Sequence, residues 1–247
     1  MAVRPTRAAA TDTHEIPMTE IYLIRHAQAS FGTADYDRLS DLGHRQAALL
    51  GSYLRRTGAG FDRVFAGPLR RHVQTAEGVL GAAEIAEPLE IVAAFAEIDV
   101  EAVLAARFPA LLDAEPDLAD AYARRHSDPL AYRRVVSRAM QIRIGEDEAS
   151  AHTVAGFSRR VREGLRQVAA RADGCRRMAV FTSGGPIAVS VQEALSLEPA
   201  VAMELGWQIY NTSVSVIETD GRNFSMKTFN ATSHLEIEID PTLKTLF

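Results

Sequence analysis

"RRMAVFTSGGPIAVSVQEAL", residues 176–195, joins two kinds of chain through a glycine turn. Arg176 to Thr182 is a short apolar run of strand length, and the stretch from Gly184 onward reads as a helix. A strand that feeds a helix through a tight polar turn is the unit from which α/β proteins are built. Upstream the same unit recurs. "EIYLIR" (20–25) is a buried-strand run, followed by a polar loop and "SDLGHRQAALLGSYLRRTG" (40–58). Ser40 or Asp41 caps that helix, Leu42, Leu49, Tyr53 and Leu54 are expected to share its buried face, and Gly58 ends it. "FDRVFA" (61–66) is the next strand, Pro68 opens the helix "PLRRHVQTAEGVLGAA" (68–83), and "LEIV" (89–92) is a third strand.

From about Val100 to Ser150 the pattern is helical, with Pro109, Pro116 and Pro129 expected as breaks, and reads as an inserted helical cap. Thr153 to Arg171 gives another amphipathic helix before Gly174 and the strand at 176–182. Downstream, "YNTSVSVIETDGRNFSMKTFN" (210–230) alternates apolar and polar about Asp220-Gly221, a hairpin signal. The expected fold is therefore α/β: a three-layer sandwich with a mixed, largely parallel sheet, helices on both faces and a helical cap insertion. One domain is expected over 18–247, preceded by a disordered polar tail at 1–17 with Met18 as a second start.

The chain has 247 residues, 47% of them apolar and 24% charged, with a net charge of -5. Those values describe a globular chain able to bury a sizeable core, with no basic footprint for nucleic acid or an anionic membrane. Lysine occurs only at 227 and 244, and arginine supplies the other cations. The single Cys175 leaves no internal disulfide and points to a reducing, cytoplasmic setting. No apolar run reaches the roughly 18 residues of a membrane span, and the start lacks the apolar core of a secretory signal.

Ligands of open α/β sheets sit beyond the carboxyl ends of the strands. Three polar clusters fall there: Arg25-His26, Gly67-Pro68-Leu69-Arg70-Arg71, and Thr182-Ser183-Gly184-Gly185. Guanidinium forks match phosphate oxygens, and the free N–H groups of a helix start accept negative charge. Each cluster alone is a weak signal. Their ordered appearance at three strand ends is a consistent anion site.

That order resembles the histidine phosphatase superfamily, the phosphoglycerate mutase-like proteins, over about Glu20 to His234. The family's Arg-His-Gly motif is matched by Arg25-His26-Ala27-Gln28. Its Ser-Pro-Leu turn leading into Arg-Ala-x-x-Thr-Ala is matched by Gly67-Pro68-Leu69 and Arg71-His72-Val73-Gln74-Thr75-Ala76. "AFAEID" puts Glu97 at the family's acid, with Asp99 and Glu101 as rivals in the same segment. Thr182-Ser183-Gly184-Gly185 stands where the family has Ser-His-Gly-Gly.

The resemblance implies a covalent mechanism without a metal or cofactor. His26 attacks phosphorus, Arg25 and Arg71 neutralise the equatorial oxygens, and Glu97 protonates the leaving alkoxide and then activates water. Arg25, Arg71, Ser183, Gly184 and Gln28 are the implied phosphate ligands. Three positions depart from the pattern. Ala27 replaces a glycine, Gly32 stands where an asparagine often touches phosphate, and Ser183 replaces the second histidine. Losing one preorganised donor typically costs roughly 3–4 kcal/mol, or about 10²- to 10³-fold in rate. His72 or His152 could fill the place in space.

Two readings of Ser183 stand open, a strand-end cap and a phosphate ligand. His44, His72, His126 and His152 read as solvated, and Asn230 and His234 as structural. Arg124, Arg125, Arg133 and Arg134 form either a solvated face or a contact to the far end of an anionic substrate. The function expected is hydrolysis of a small phosphorylated substrate by a phosphatase of reduced activity. The alternatives are a non-catalytic binder of phospho-ligands or of a partner protein, a phosphoglycerate mutase, and an unrelated α/β binding domain. Oligomeric state is open, a homodimer included.

Overall fold

The computed structural model describes residues 18–33, 35–141 and 153–246. The expected tail at 1–17, His152 and the last part of the cap lie outside the described residues.

In chain order, β1 (Thr19–Arg25) leads through a loop to α1 (Asp41–Thr57), then β2 (Arg63–Ala66), α2 (Arg70–Ala83) and β3 (Leu89–Ile91). A 3-10 turn at Ala93–Phe95 precedes the cap helices α3 (Val100–Ala114), α4 (Leu118–Arg124) and α5 (Pro129–Gln141). The chain returns through α6 (Val154–Ala169), β4 (Arg177–Thr182), α7 (Gly184–Leu195) and α8 (Pro199–Gly206). It ends with β5 (Val214–Thr219), β6 (Phe224–Ala231), the short α9 (Ser233–Glu236) and a 3-10 turn at Pro241–Leu243.

The six strands form one mixed sheet in the order β3-β2-β4-β1-β5-β6. The first four are parallel, and β5 and β6 are antiparallel additions on one side. Alternation along the strands sorts the core into two layers. Ala179 and Phe181 of β4 face one side with Ile24, Val64, Ala66 and the α1/α2 pair. Met178 and Val180 face the other with Ile21, Leu23, Phe65, α6 and α7. That second layer runs without interruption into the cap through Phe95, Ile98 and Phe157, so Leu104, Leu111 and Val135 share its core.

Several local expectations are refined. Ser40 caps α1 by accepting from the Gly43 N–H, and Gly58 ends it in the left-handed conformation. The buried face of α1, however, is Gly43, Gln46, Ala47, Leu50, Gly51 and Leu54, while Leu42, Leu49 and Tyr53 are only partly covered. Small residues let this helix approach its neighbour: a Cβ on Gly51 would lie 2.3 Å from the Val79 carbonyl of α2. Pro68 precedes α2 instead of entering it, and Pro109 lies inside α3 instead of breaking it. Pro116 and Pro129 do mark breaks. The hairpin turns over the four residues 220–223, where Asp220 Oδ1 accepts from the N–H groups of Arg222 and Asn223.

Candidate active site

Because β2, β4 and β1 are neighbours, their carboxyl ends bring the three polar clusters of the sequence to one place. There a cavity of about 1300 Å³ opens, bordered by Arg25, His26, Arg71, Glu97, Gly184 and Gly185.

His26 follows β1 directly and is 5% exposed. Its Nδ1 stands 2.8 Å from the Ala27 carbonyl, which can only accept, so Nδ1 carries the proton and donates it there. The other nitrogen, Nε2, keeps its lone pair and accepts from Arg71 Nε–H at 3.3 Å. Burial above all, then the charges of Arg71 and Arg25 and the nearby His72, hold His26 well below the ordinary histidine pKa. The imidazole is thus neutral at physiological pH, with its free nitrogen turned toward the arginine. Its backbone is fixed on both sides. The N–H donates to the Thr182 carbonyl at 2.7 Å, and the C=O accepts from Asn211 Nδ2 at 3.0 Å. Thr75 adds a third tie by accepting from the Ala27 N–H at 3.0 Å.

The two arginines are held differently. Arg25 is partly covered, and its Nη groups donate to the carbonyls of Ile209 and Leu246. Its Nε is buried with no protein partner and is the part of the fork left for a ligand. Burial pushes the Arg25 guanidinium down to about 10, which leaves it charged at neutral pH. Arg71, in the first turn of α2, pairs through Nη1 with Asp37 at 2.6 Å and lies 5.3 Å from the centroid of the Tyr36 ring.

Glu97 follows the 3-10 turn after β3. One carboxylate oxygen accepts from its neighbour's N–H (Ile98, 2.9 Å) and the other from the Gly185 N–H in the first turn of α7 (3.0 Å). Residue 185 has to be glycine for this contact, since a Cβ there would lie 2.1 Å from Glu97 Oε1. The Gly185 N–H is therefore spent on the acid and cannot serve a phosphate as well.

Two expected phosphate ligands are not brought to the cavity. Gln28 turns toward α1, where Ser40 Oγ donates to its side-chain oxygen at 2.8 Å and Gln46 Oε1 accepts from its N–H at 2.8 Å. Ser183 is buried, and its hydroxyl shares a 2.6 Å hydrogen bond with His72 Nε2. His72, read from sequence as solvated, is 0% exposed. Its ring centroid lies 5.7 Å from that of His26, and burial, then Arg71, hold it neutral. The signal was present in α2, because His72, Thr75 and Ala76 lie on one helical face. Gly32, where the family pattern often has asparagine, borders the cavity with φ 79°, a conformation that favours glycine. Asp37, Tyr36 and Asn211 were not foreseen. The first two sit in the loop after β1, and the third lies just before β5, where no periodicity singles them out.

A model of the histidine phosphatase superfamily (branch 1) matches residues 21–232. The chain belongs to that superfamily. No curated protein matches the sequence significantly. Among solved structures, a phosphoglycerate mutase from Bacillus anthracis str. Sterne superposes with a TM-score of 0.61 at 16% identity, covering 90% of this chain and 97% of its own. A phosphoserine phosphatase mutant from Entamoeba histolytica in complex with phosphoserine gives 0.57 at 19% identity, covering 88% and 99%. A mycobacterial glucosyl-3-phosphoglycerate phosphatase gives 0.55 at 18% identity, covering 87% and 100%. At these identities the likeness is one of fold. The superfamily fold thus carries both phosphatases and a mutase, and this member's own chemistry has to be argued from its residues. Among the described residues no group of histidine, cysteine and carboxylate side chains is arranged to hold a metal ion, and no helix is long and apolar enough to cross a membrane.

Proposed function

We propose that this superfamily member hydrolyses phosphomonoesters through a phosphohistidine on His26. The observation that carries the reading is the neutral, oriented imidazole, with Nδ1–H tied to the Ala27 carbonyl and the Nε2 lone pair 3.3 Å from Arg71 Nε. A substrate phosphoryl group takes the place beside that lone pair, between Arg71 and Arg25 Nε. Nε2 attacks phosphorus in line, the bond to the ester oxygen breaks, and Glu97 acts as the general acid that gives the alkoxide its proton. Water then attacks the phosphohistidine while Glu97 takes its proton, which releases phosphate and restores His26. The arginines balance the charge on the equatorial oxygens, the main demand of this reaction class. The scheme uses side chains alone.

With Ser183 turned to His72 and Gln28 to α1, fewer donors reach the phosphate than the family pattern implies, which supports a slow enzyme. The same observation favours the second reading, a binder of phospho-ligands without turnover. It weighs most against a mutase, which has to keep its phosphoenzyme intact. A cytoplasmic setting accords with the lone Cys175.

The test is hydrolysis of a generic aryl phosphate by wild type and His26→Ala, with acid-labile phosphate on the protein measured in a rapid quench. Slow turnover with a trapped phosphoenzyme, both absent in His26→Ala, is the expected result. An equal rate in the two proteins would remove His26 from the mechanism. No rate in either, with phosphate bound, would leave the binder.

A further inference from the structure

The cavity is far larger than a phosphate needs, and aromatic rings line it beside the cationic groups. Arg25, Arg71 and His26 form its phosphate site. A row of aromatic rings begins beside Arg71. Arg71 lies over Tyr36, Tyr36 meets Phe31 edge-on at 6.0 Å, Phe31 meets Tyr132 at 6.1 Å, and Tyr132 meets Trp207 at 6.3 Å. All four rings border the cavity. The row is built from three separate parts of the chain, the loop after β1, the cap helix α5 and the end of α8, so neither the cap nor the body makes it alone.

Charge on the border is equally uneven. Among the described residues that border the cavity, the one guanidinium besides Arg25 and Arg71 is Arg162, and Glu193 neutralises it at 3.1 Å. Arg133, packed over Trp207, faces Glu204 at 3.5 Å. The remaining charged groups on that border besides Glu97 are acids, Asp99 and Glu101, and Arg125 faces Glu101 at 3.4 Å. A second anion on the substrate, such as a carboxylate, would meet no uncommitted cation among the described residues and the like charge of Asp99. An uncharged ring would find edges and faces to pack on.

We propose that the alcohol half of the substrate is an uncharged group bearing an aromatic ring, laid along the Tyr36–Phe31–Tyr132–Trp207 row. The assignment rests on the phosphatase reading above and names its substrate class. It separates this chain from the small carboxylate-bearing ligand in the phosphoserine complex of its structural neighbour.

The experiment compares 2-naphthylmethyl phosphate with O-phosphoserine. Both are primary alkyl esters, so leaving-group basicity differs little. Burial of the naphthyl group is expected to raise kcat/KM about 100-fold over O-phosphoserine, and Phe31→Ala or Tyr36→Ala to cut that preference about tenfold. Because Trp207 is the only tryptophan in the chain, its fluorescence reports occupancy without turnover. The non-hydrolysable 2-naphthylmethylphosphonate should change that emission saturably in wild type. Equal or better turnover of O-phosphoserine overturns the substrate assignment and leaves the phosphatase standing. No turnover of either ester, with saturable phosphonate binding, overturns the phosphatase and keeps the ligand class. Neither turnover nor binding overturns both.

Discussion

His72 and Ser183 look like an exchange. In the family pattern an alanine follows the α2 arginine and a histidine precedes the paired glycines, whereas here a histidine and a serine hold those places and touch at 2.6 Å. Both are buried to within 1% of full enclosure, so the imidazole of His72 occupies space that a histidine at 183 would need. Ser183→His alone is therefore expected to gain no rate and to lose roughly 1–3 kcal/mol of stability through overpacking. The double change His72→Ala/Ser183→His opens that space and returns a donor to the end of β4, so kcat should rise by about 10²-fold. Steady-state rates and urea midpoints of the two proteins check this. A single mutant that gains as much as the double would show that His72 blocks nothing. That Arg25, His26 and Arg71 border one cavity was legible because each lies in a cluster at a strand end, whereas Glu97, beyond β3 and a 3-10 turn, was reached through the family motif alone. The partners that orient them, Asp37, Tyr36 and Asn211, were not, because contacts made across the fold leave no spacing in the sequence.

At the scale of elements, the join between the turn after β3 and the first turn of α7 sets the acid. The Gly185 N–H holds Glu97, and a methyl group at 185 would fall 2.1 Å from the carboxylate. Gly185→Ala should displace Glu97 with little effect on folding, since the first obstacle to the new methyl group is the movable end of the Glu97 side chain and no backbone atom. The expected outcome is a fall in kcat of about 10²-fold, with a melting temperature within a few degrees of wild type. A stable variant of undiminished kcat would remove Glu97 from the chemistry. The α1/α2 contact makes the opposite case. At Gly51 the obstacle is the backbone carbonyl of Val79 at 2.3 Å, so Gly51→Ala should cost about 1–3 kcal/mol in urea unfolding with kcat unchanged. An unaltered urea midpoint would show that the two helices part at no cost. The same feature explains why the buried face of α1 was misread. Apolar periodicity weights large side chains, and beside Leu50 and Leu54 this face carries Gly43, Ala47 and Gly51, small enough for two helices to touch, and the polar Gln46. The strands were legible as short apolar runs, and Pro109 was not, because a proline within one apolar helix reads like a helix end. The short α8 went unread although Pro199 at its first position is a start signal, because its N-cap is Glu198, which makes no side-chain capping bond, and α7 ends on the left-handed Ser196 with no glycine to mark it.

At the scale of the whole molecule, the described residues include three enclosed histidines, each in a place that disfavours a proton. His26 is held well below the ordinary value by burial and the two arginines, and His72 by burial and Arg71. His234, which shares a hydrogen bond with Thr212 Oγ1, is pushed down to about 4 by burial. In the unfolded chain each titrates near 6.5. As pH falls below that value the unfolded state takes up protons that the native state refuses, so unfolding free energy decreases with falling pH. For His234 the window runs from about 6.5 down to about 4, and the linked loss across it is roughly 3 kcal/mol. His26 and His72 add losses of the same sign beginning at the same upper edge. The urea midpoint should accordingly hold near pH 7 and above and drop steadily between pH 6.5 and 4.5. In His234→Gln, which keeps a polar group beside Thr212 but takes up no proton, the decline should be shallower. A wild-type midpoint that stays flat from pH 7 to pH 5 would mean that the buried histidines accept protons in place, and the neutral His26 on which the proposed attack depends would fall with that result.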